Sequence, residues 1–532
     1  MNSLRRQVLI HSVTAATAAG LGLPAWSAQA RDGAGVDIHI ELHAVPDHVA
    51  IRSGAQTRVW RYRGRLLRGA AGALDTSMLA PVIRVRRGQR MRIDLVNGLP
   101  EPTIIHWHGL HVPDDMDGHP RFSIAPGARY HYEFTVVDRA GSYWFHAHPH
   151  GRTGKQVYSG LAGLFLVSDE QEAALGLPAG AQDIPLIIQD REFDNDNQFV
   201  YLDEAQGAAR HGGGTMGGGM MGPGMMGGGM RSMMAGMKGV LGDQILVNNR
   251  PNASLDVERR AHRVRLLNAS NTRMYKLAWD DGSPLTVIGT DGGLLGAPVQ
   301  RDYVMLAPAE RVDLWVDFGR WPAGTERTLR SLAFEGGMNM GGMLGSGGGL
   351  ADGAPFVVHR FRIGEGAARI AKLPERLTPI PPPQPHLAVN FDNPKVFELT
   401  MGMMIWGING ADFDMLGASE IETVKLGTQE IWEFRNDGRG SMMGMVMAHS
   451  MHVHGLQYRV LGRSMSNKFA AAYETVKDGL IDDGWKDTVL VMPGERVRIL
   501  LRFADYTGLY LYHCHMLEHE DSGLMRNYLV KA

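Results

Sequence analysis

Short alternating runs dominate the hydrophobic pattern of this chain. Val82-Ile83-Arg84-Val85, Met91-Arg92-Ile93-Asp94-Leu95-Val96 and Val497-Arg498-Ile499-Leu500-Leu501-Arg502-Phe503 interleave aliphatic with charged residues, and Gly, Pro or Asn bounds them. That period predicts half-buried strands. Long amphipathic helical patterns are scarce. Many short strands separated by turns predict an all-β chain of Greek-key sandwiches.

The pattern also repeats. Pro126-Gly127-Ala128-Arg129 opens a strand that leads to Gly141-Ser142-Tyr143-Trp144-Phe145-His146-Ala147-His148. Pro493-Gly494-Glu495-Arg496 opens one that leads to Gly508-Leu509-Tyr510-Leu511-Tyr512-His513-Cys514-His515. Pro308-Ala309-Glu310-Arg311 opens a third, but no His-X-His follows it. His106-Trp107-His108-Gly109 is echoed by His452-Val453-His454-Gly455 and again is missing from the middle. Three related β units are expected, over residues 31–170, 171–375 and 376–532, with the histidine motifs kept in the first and third. The second boundary lies near the stiff stretch Pro379-Ile380-Pro381-Pro382-Pro383-Gln384-Pro385.

Composition changes this picture in three places. A net charge of −2 gives no reason to expect nucleic acid as a partner. A single cysteine excludes an internal disulfide framework. The methionines are concentrated. Residues 211–238 alternate glycine with Met216, Met220, Met221, Met225, Met226, Met230, Met233, Met234 and Met237, and residues 336–349 carry Met338, Met340 and Met343. Methionine in so much glycine has no core to join, and its thioether is a soft ligand suited to Cu(I). At the N-terminus, Arg5-Arg6 precede an alanine-rich apolar run, and Ala28-Gln29-Ala30 fits a cleavage site. Residues 1–30 are expected to be a twin-arginine signal, and the mature chain a periplasmic monomer with no membrane span.

The candidate chemistry is in four His-X-His pairs: His106/His108, His146/His148, His452/His454 and His513/His515. On a strand, both members of a pair face one way. Eight imidazoles exceed the needs of one ion and suit a cluster of about three metals. Cys514 lies between His513 and His515 and so faces away from them. His449 is an odd three residues before His452 and faces away too. With His519 after a turn, these form a His2Cys set, the ligand pattern of a blue copper site. One peptide step then separates the thiolate from two cluster ligands.

These four motifs, in this order, resemble those of the multicopper oxidases over essentially the whole mature chain. Within that family the chain is most similar to bacterial cuprous oxidases and laccases, through Phe145-His146-Ala147-His148-Pro149-His150-Gly151-Arg152-Thr153-Gly154 and Gly484-Trp485-Lys486-Asp487-Thr488-Val489. The resemblance implies three cupredoxin-like Greek-key β-sandwich domains and four copper ions. Type 1 copper would lie at His449, Cys514 and His519, and type 2 at His106 and His452. The type 3 pair would lie at His108, His146, His148, His454, His513 and His515. Asp117 and Glu520 sit where the family places acids that supply protons to dioxygen. One departure concerns the axial methionine often found ten residues after the cysteine. That position is Leu524, with Met525 beside it, and either could lie against the type 1 site. His111, His119 and His150 are expected to be supporting or surface groups.

The implied function is an oxidase. It would couple one-electron oxidation of a reductant at type 1 copper to four-electron reduction of O2 at the cluster. Met442, Met443, Met445 and Met447 precede His449 and, with the methionine-glycine stretches, favour Cu(I) as reductant. Met445 stands where some copper-oxidising relatives have an acid. The alternatives are a laccase acting on phenols and a non-catalytic copper-binding scaffold of the same fold.

Overall fold

The computed structural model describes residues 35–202, 239–335, 350–369, 371–401, 406–438 and 446–532. The N-terminal arginine pair, the stretches 211–238 and 336–349, and Met442, Met443 and Met445 lie outside these residues.

Strands form where side chains alternate. In Ile38–Val49, the residues Ile38, Ile40, Leu42 and Ala44 are buried, and the polar residues between them are not. This strand lies between Thr57–Arg68 and Arg90–Asn97, with Arg129–Thr135 completing a four-stranded sheet. The facing sheet runs Leu74–Asp75, Val82–Arg86, Ala162–Ser168, Gly141–Ala147, Ile105–His108. Ile40, Leu42, Ile93 and Leu95 from one sheet meet Ile83, Phe145 and Phe165 from the other in a shared core. This is the two-layer packing of a β-sandwich.

A second sandwich joins a seven-stranded sheet, in which Asp183–Arg191, Ala261–Asn268 and Arg311–Asp317 are central, to a five-stranded one built on Phe356–Ile363 and Glu326–Ser331. A third joins a five-stranded sheet containing Gln429–Arg435 and Glu495–Arg502 to another in the order Thr423–Lys425, Met525–Lys531, Gly508–Cys514, His449–Val453, Thr488–Val491. The all-β expectation holds. Strands at the sandwich contacts lose their alternation, because both faces are covered. Every residue of Gly141–Ala147 is buried. Trp144 on its outer face packs with Leu164, Leu166, Ile187 and Leu267, which span the first and second sandwiches.

One core histidine carries a pH-dependent cost. His359, in the Phe356–Ile363 strand, is buried against Phe361, and neither ring nitrogen has a partner among the described residues. Burial lowers its pKa to about 4. The folded value lies below the unfolded one, so stability falls as pH drops from about 6.5 to about 4. The loss is roughly 3 kcal/mol at full titration. In His359→Leu the gap between melting temperatures at pH 7.5 and pH 4.5 is expected to narrow relative to the parent. An unchanged gap would mean that the ring finds a partner on protonation.

Candidate metal centre

Register brings the histidine motifs together. His106 is directly opposite His146 in the first sandwich. In the third, Met451 is opposite Cys514 and His452 is opposite His513. Opposed residues of an antiparallel pair share a face. His449 therefore shares the Cys514 side, two residues from Met451, and His452 shares the His513 side. One expectation needs correction: the alternation of a strand does not cover every pair. His148, His454 and His515 each lie one residue past a strand that ends at Ala147, Val453 or Cys514. Backbone bonds still hold them in line: His148 N donates to Ile104 O, His454 N to Leu511 O and His515 N to Ser450 O, at 2.9, 2.9 and 2.5 Å.

The eight paired imidazoles form one buried group. His106 Nε2 is 3.2 Å from His452 Nε2, and His146 Nε2 is 3.2 Å from His515 Nε2. His513 Nε2 lies 3.0 Å from His454 Nε2 and 3.4 Å from His148 Nε2. The tautomers make these contacts informative. Nδ1 of His106 donates to Asp117 O, that of His452 to Asp487 O and that of His454 to Asp117 Oδ2, at 2.7, 2.8 and 2.7 Å. Nδ1 of His513 donates to Cys514 O at 3.1 Å. A neutral ring that donates through Nδ1 has only a lone pair at Nε2. Lone pairs thus face lone pairs, which is repulsive unless a cation lies among them. His108 is turned the other way. Its Nε2 donates to Asp487 Oδ1 at 3.0 Å, and its buried Nδ1 has no partner among the described residues.

The spacing fits a metal. Bonds of about 2 Å to two nitrogens at a tetrahedral angle place them about 3.3 Å apart. Burial, aided by neighbouring imidazoles, holds His106, His108, His452, His454 and His515 well below the usual histidine range. It holds His146 at about 3 and His148 at about 4. All seven are neutral at pH 7, the form that ligates.

Cys514 belongs to a separate group. Its Sγ is 3.5 Å from His449 Nδ1 and 3.6 Å from His519 Nδ1, and all three residues are buried. A metal with sulfur at about 2.3 Å and nitrogen at about 2 Å would set such atoms about 3.5 Å apart. Burial pushes the thiol up to about 12, so only a bound cation would make it a thiolate near neutral pH. His519 comes from the short helix Leu517–Asp521, and the Trp406 ring lies 4.9 Å from it.

Which of Leu524 and Met525 lies on the Cys514 side has a geometric answer. Met525 is directly opposite His513 and so faces the imidazole group. Leu524 accepts the Cys514 N–H at its carbonyl and donates its own N–H to His519 O, both at 3.0 Å. It packs in the apolar cluster that contains Cys514. Leu524 is therefore the residue on the thiol side. Without a sulfur donor there, a copper held by His449, Cys514 and His519 would be favoured as Cu(I) over Cu(II). Leu524→Met is expected to lower the potential of a copper bound at His449, Cys514 and His519, as read by redox titration of its colour.

The two acids both reach the imidazole group. Asp117 is fully buried with Oδ2 on His454, and burial holds its carboxyl well above the usual range. Gly118 follows it at φ +90°, where a side chain would strike the Ile105 carbonyl, so the turn that aims Asp117 requires glycine. Glu520 lies 3.1 Å from His513 Nδ1 and 3.4 Å from His148 Nε2. Burial works to raise its pKa, and the neighbouring His148 and His513 work to lower it.

His111, His119 and His150 are in neither group. His119 is buried and satisfied by Asn527 Oδ1 at 2.9 Å. His111 bonds Asp138 at 2.7 Å, and His150 is exposed beside Phe413. Motif reading passed over Arg311 as a support of the site. Arg311 is fully buried and grips both oxygens of Asp487, which in turn orients His108 and His452. Its signal was the Pro-Ala-Glu-Arg repeat, which keeps the arginine in the unit that lacks histidines.

Comparisons agree with this geometry. Two family models, each described as multicopper oxidase, match residues 61–172 and 388–532. A laccase of Bacillus stratosphericus is 31% identical over 510 residues, covering 88% of this chain and 90% of its own. The McoA multicopper oxidase of the hyperthermophile Aquifex aeolicus is 34% identical, with a TM-score of 0.72, over 93% of this chain and 96% of its own. A laccase from Pediococcus acidilactici is 30% identical, with a TM-score of 0.71, over 93% of this chain and 90% of its own. The three sandwiches are cupredoxin-like domains, and the chain is a copper oxidoreductase. By its sequence and its fold, the chain belongs to the multicopper oxidase family.

Proposed function

We propose that this protein couples one-electron oxidation of Cu(I), and also of phenolic and aromatic compounds, to reduction of dioxygen to water, and serves copper tolerance in the periplasm. The observation that carries the oxidase reading is the pair of buried donor groups joined through Cys514. On this reading His449, Cys514 and His519 hold type 1 copper, His106 and His452 hold type 2, and the other six histidines hold the type 3 pair. Copper bound there supplies one-electron redox steps and the binding and four-electron reduction of O2.

The chain's own residues supply the rest. Cys514 provides a covalent path: its backbone joins the sulfur to His513 on one side and His515 on the other. Leu524, Trp406 and the surrounding core keep water from the sulfur. Water formation consumes four protons per O2. Asp117 can hold one at Oδ1, which has no hydrogen-bond partner among the described residues. Glu520 is placed to carry others at Oε1 and Oε2, beside His148 and His513. Asp487 holds His108 and His452 in the tautomers that leave one nitrogen free on each.

Cu(I) as reductant is supported by the methionines concentrated in 211–238 and 336–349 and before His449, since thioethers favour that ion. The test is steady-state oxygen uptake with Cu(I) and with a phenol, before and after deletion of 211–238. Cu(I) turnover is expected to fall while phenol turnover is kept or rises. Equal effects on both would leave a laccase as the better description. A colourless copper-loaded protein that consumes no oxygen would instead indicate a scaffold.

A further inference from the structure

Helix Leu517–Asp521 carries His519, yet five residues cannot hold a helix by themselves, and no side chain caps its start. Its fixation comes from elsewhere in the chain. Glu518 is 2% exposed and accepts four hydrogen bonds. Oε1 accepts from Tyr201 Oη at 3.0 Å and Asn271 Nδ2 at 2.7 Å. Oε2 accepts from Thr272 Oγ1 at 2.7 Å and the Val240 N–H at 3.2 Å. Leu517 N adds a bond to Asn271 O at 3.0 Å. None of these donors belongs to the sheet that holds Cys514 and His449. Tyr201 and Val240 lie on either side of 203–238, so residues flanking the methionine-glycine stretch meet at the residue before His519.

We propose that Glu518 is a positioning residue for the His449–Cys514–His519 centre: it fixes the height and rotation of the His519 helix from the second sandwich, while Cys514 and His449 are fixed by their own sheet. The inference rests on the reading of those three residues as the type 1 site. It gives the middle of the chain, which has no copper motif, a part in setting the geometry of that site. It also ties that geometry to both flanks of 203–238.

Glu518→Gln is a severe probe. The amide can accept at one oxygen only, and its NH2 must face either the Val240 N–H, which cannot accept, or Asn271, which could offer Oδ1 only by turning over and giving up its bond to Gly154 O. Thr272→Val and Tyr201→Phe are milder, since each removes one donor and keeps the carboxylate. The copper-loaded parent and the three variants would be compared by the position of the blue absorption band, the Cu(II) hyperfine splitting and the potential. Hydrogen exchange at the amides of 517–521 would be followed on the same samples. Glu518→Gln is expected to shift the band and the potential, and to speed exchange about tenfold or more. The milder variants should move each readout in the same direction by less.

A folded, copper-loaded Glu518→Gln with the parent spectrum and parent exchange would overturn the proposal. If Glu518→Gln does not fold, Thr272→Val and Tyr201→Phe decide, and unchanged spectra and exchange in both overturn it. A parent protein that loads copper without a blue band would sink the type 1 assignment instead, and the inference with it.

Discussion

Replacement of Cys514 by serine is expected to abolish both the blue colour and oxygen consumption, while the protein stays folded. The two losses have one cause. Cys514 is the only cysteine, and its sulfur lies 3.5 and 3.6 Å from the two imidazoles that complete its group. A serine hydroxyl is a hard, neutral donor at pH 7, so it neither gives the thiolate–copper colour nor suits Cu(I). Folding should survive because the residue is buried in a strand whose backbone bonds are unaffected, and the hydroxyl can accept the Met516 N–H that now points at sulfur. The imidazole group keeps all its ligands, so copper per chain should fall by about one rather than to zero. Copper analysis, the visible spectrum and oxygen uptake on one preparation check this. Turnover at the parent rate in that variant would mean that electrons reach the imidazole group by another path.

The parity of a strand made much of the centre legible in advance. His449, His452, Cys514 and His513 could be sorted to two sides by counting alone, because each lies within a strand whose register the cross-strand pairs preserve. Counting loses its warrant at His148, His454 and His515, which lie past their strands and owe their place to long-range backbone bonds. It could not choose between Leu524 and Met525 either, because that depends on which of them stands opposite His513. The supporting residues were the least visible. The donors to Glu518, and His108 and Arg311 among those to Asp487, are more than a hundred residues away in the chain, and a carboxylate bonded to Asn271 looks in sequence like one bonded to water. Arg311 was visible only as a repeat whose arginine outlasted its histidines. The all-β architecture followed from local pattern, because half-buried strands advertise themselves by period. Strands buried on both faces, such as Gly141–Ala147, do not.

Asp487 should give the second large effect, and it separates support of the metal from support of the fold. Its carboxylate accepts from His108 Nε2 and Thr488 Oγ1 at 3.0 and 2.9 Å and is clamped by Arg311, and its carbonyl fixes His452. Asp487→Leu removes the charged acceptor at His108 Nε2 and leaves only the weaker Thr488 hydroxyl among the described residues there, so the proton is held less firmly on Nε2 and Nδ1 is less strictly reserved for metal. Loss of such a support lowers metal affinity or activity roughly 10–100-fold. The same change leaves Arg311 buried without its main anion, which costs about 3–5 kcal/mol in stability. Adding Arg311→Met should undo the second effect, because an apolar pair replaces a buried ion pair at little cost. It should not undo the first, since His108 Nε2 is left with the Thr488 hydroxyl at 3.1 Å in place of a carboxylate. The expected result is a double variant that regains most of the denaturation midpoint lost by the single one, yet binds the metals of the imidazole group as weakly. Recovery of stability and copper occupancy together would show that Asp487 serves only the fold, and that His108 finds its tautomer without it.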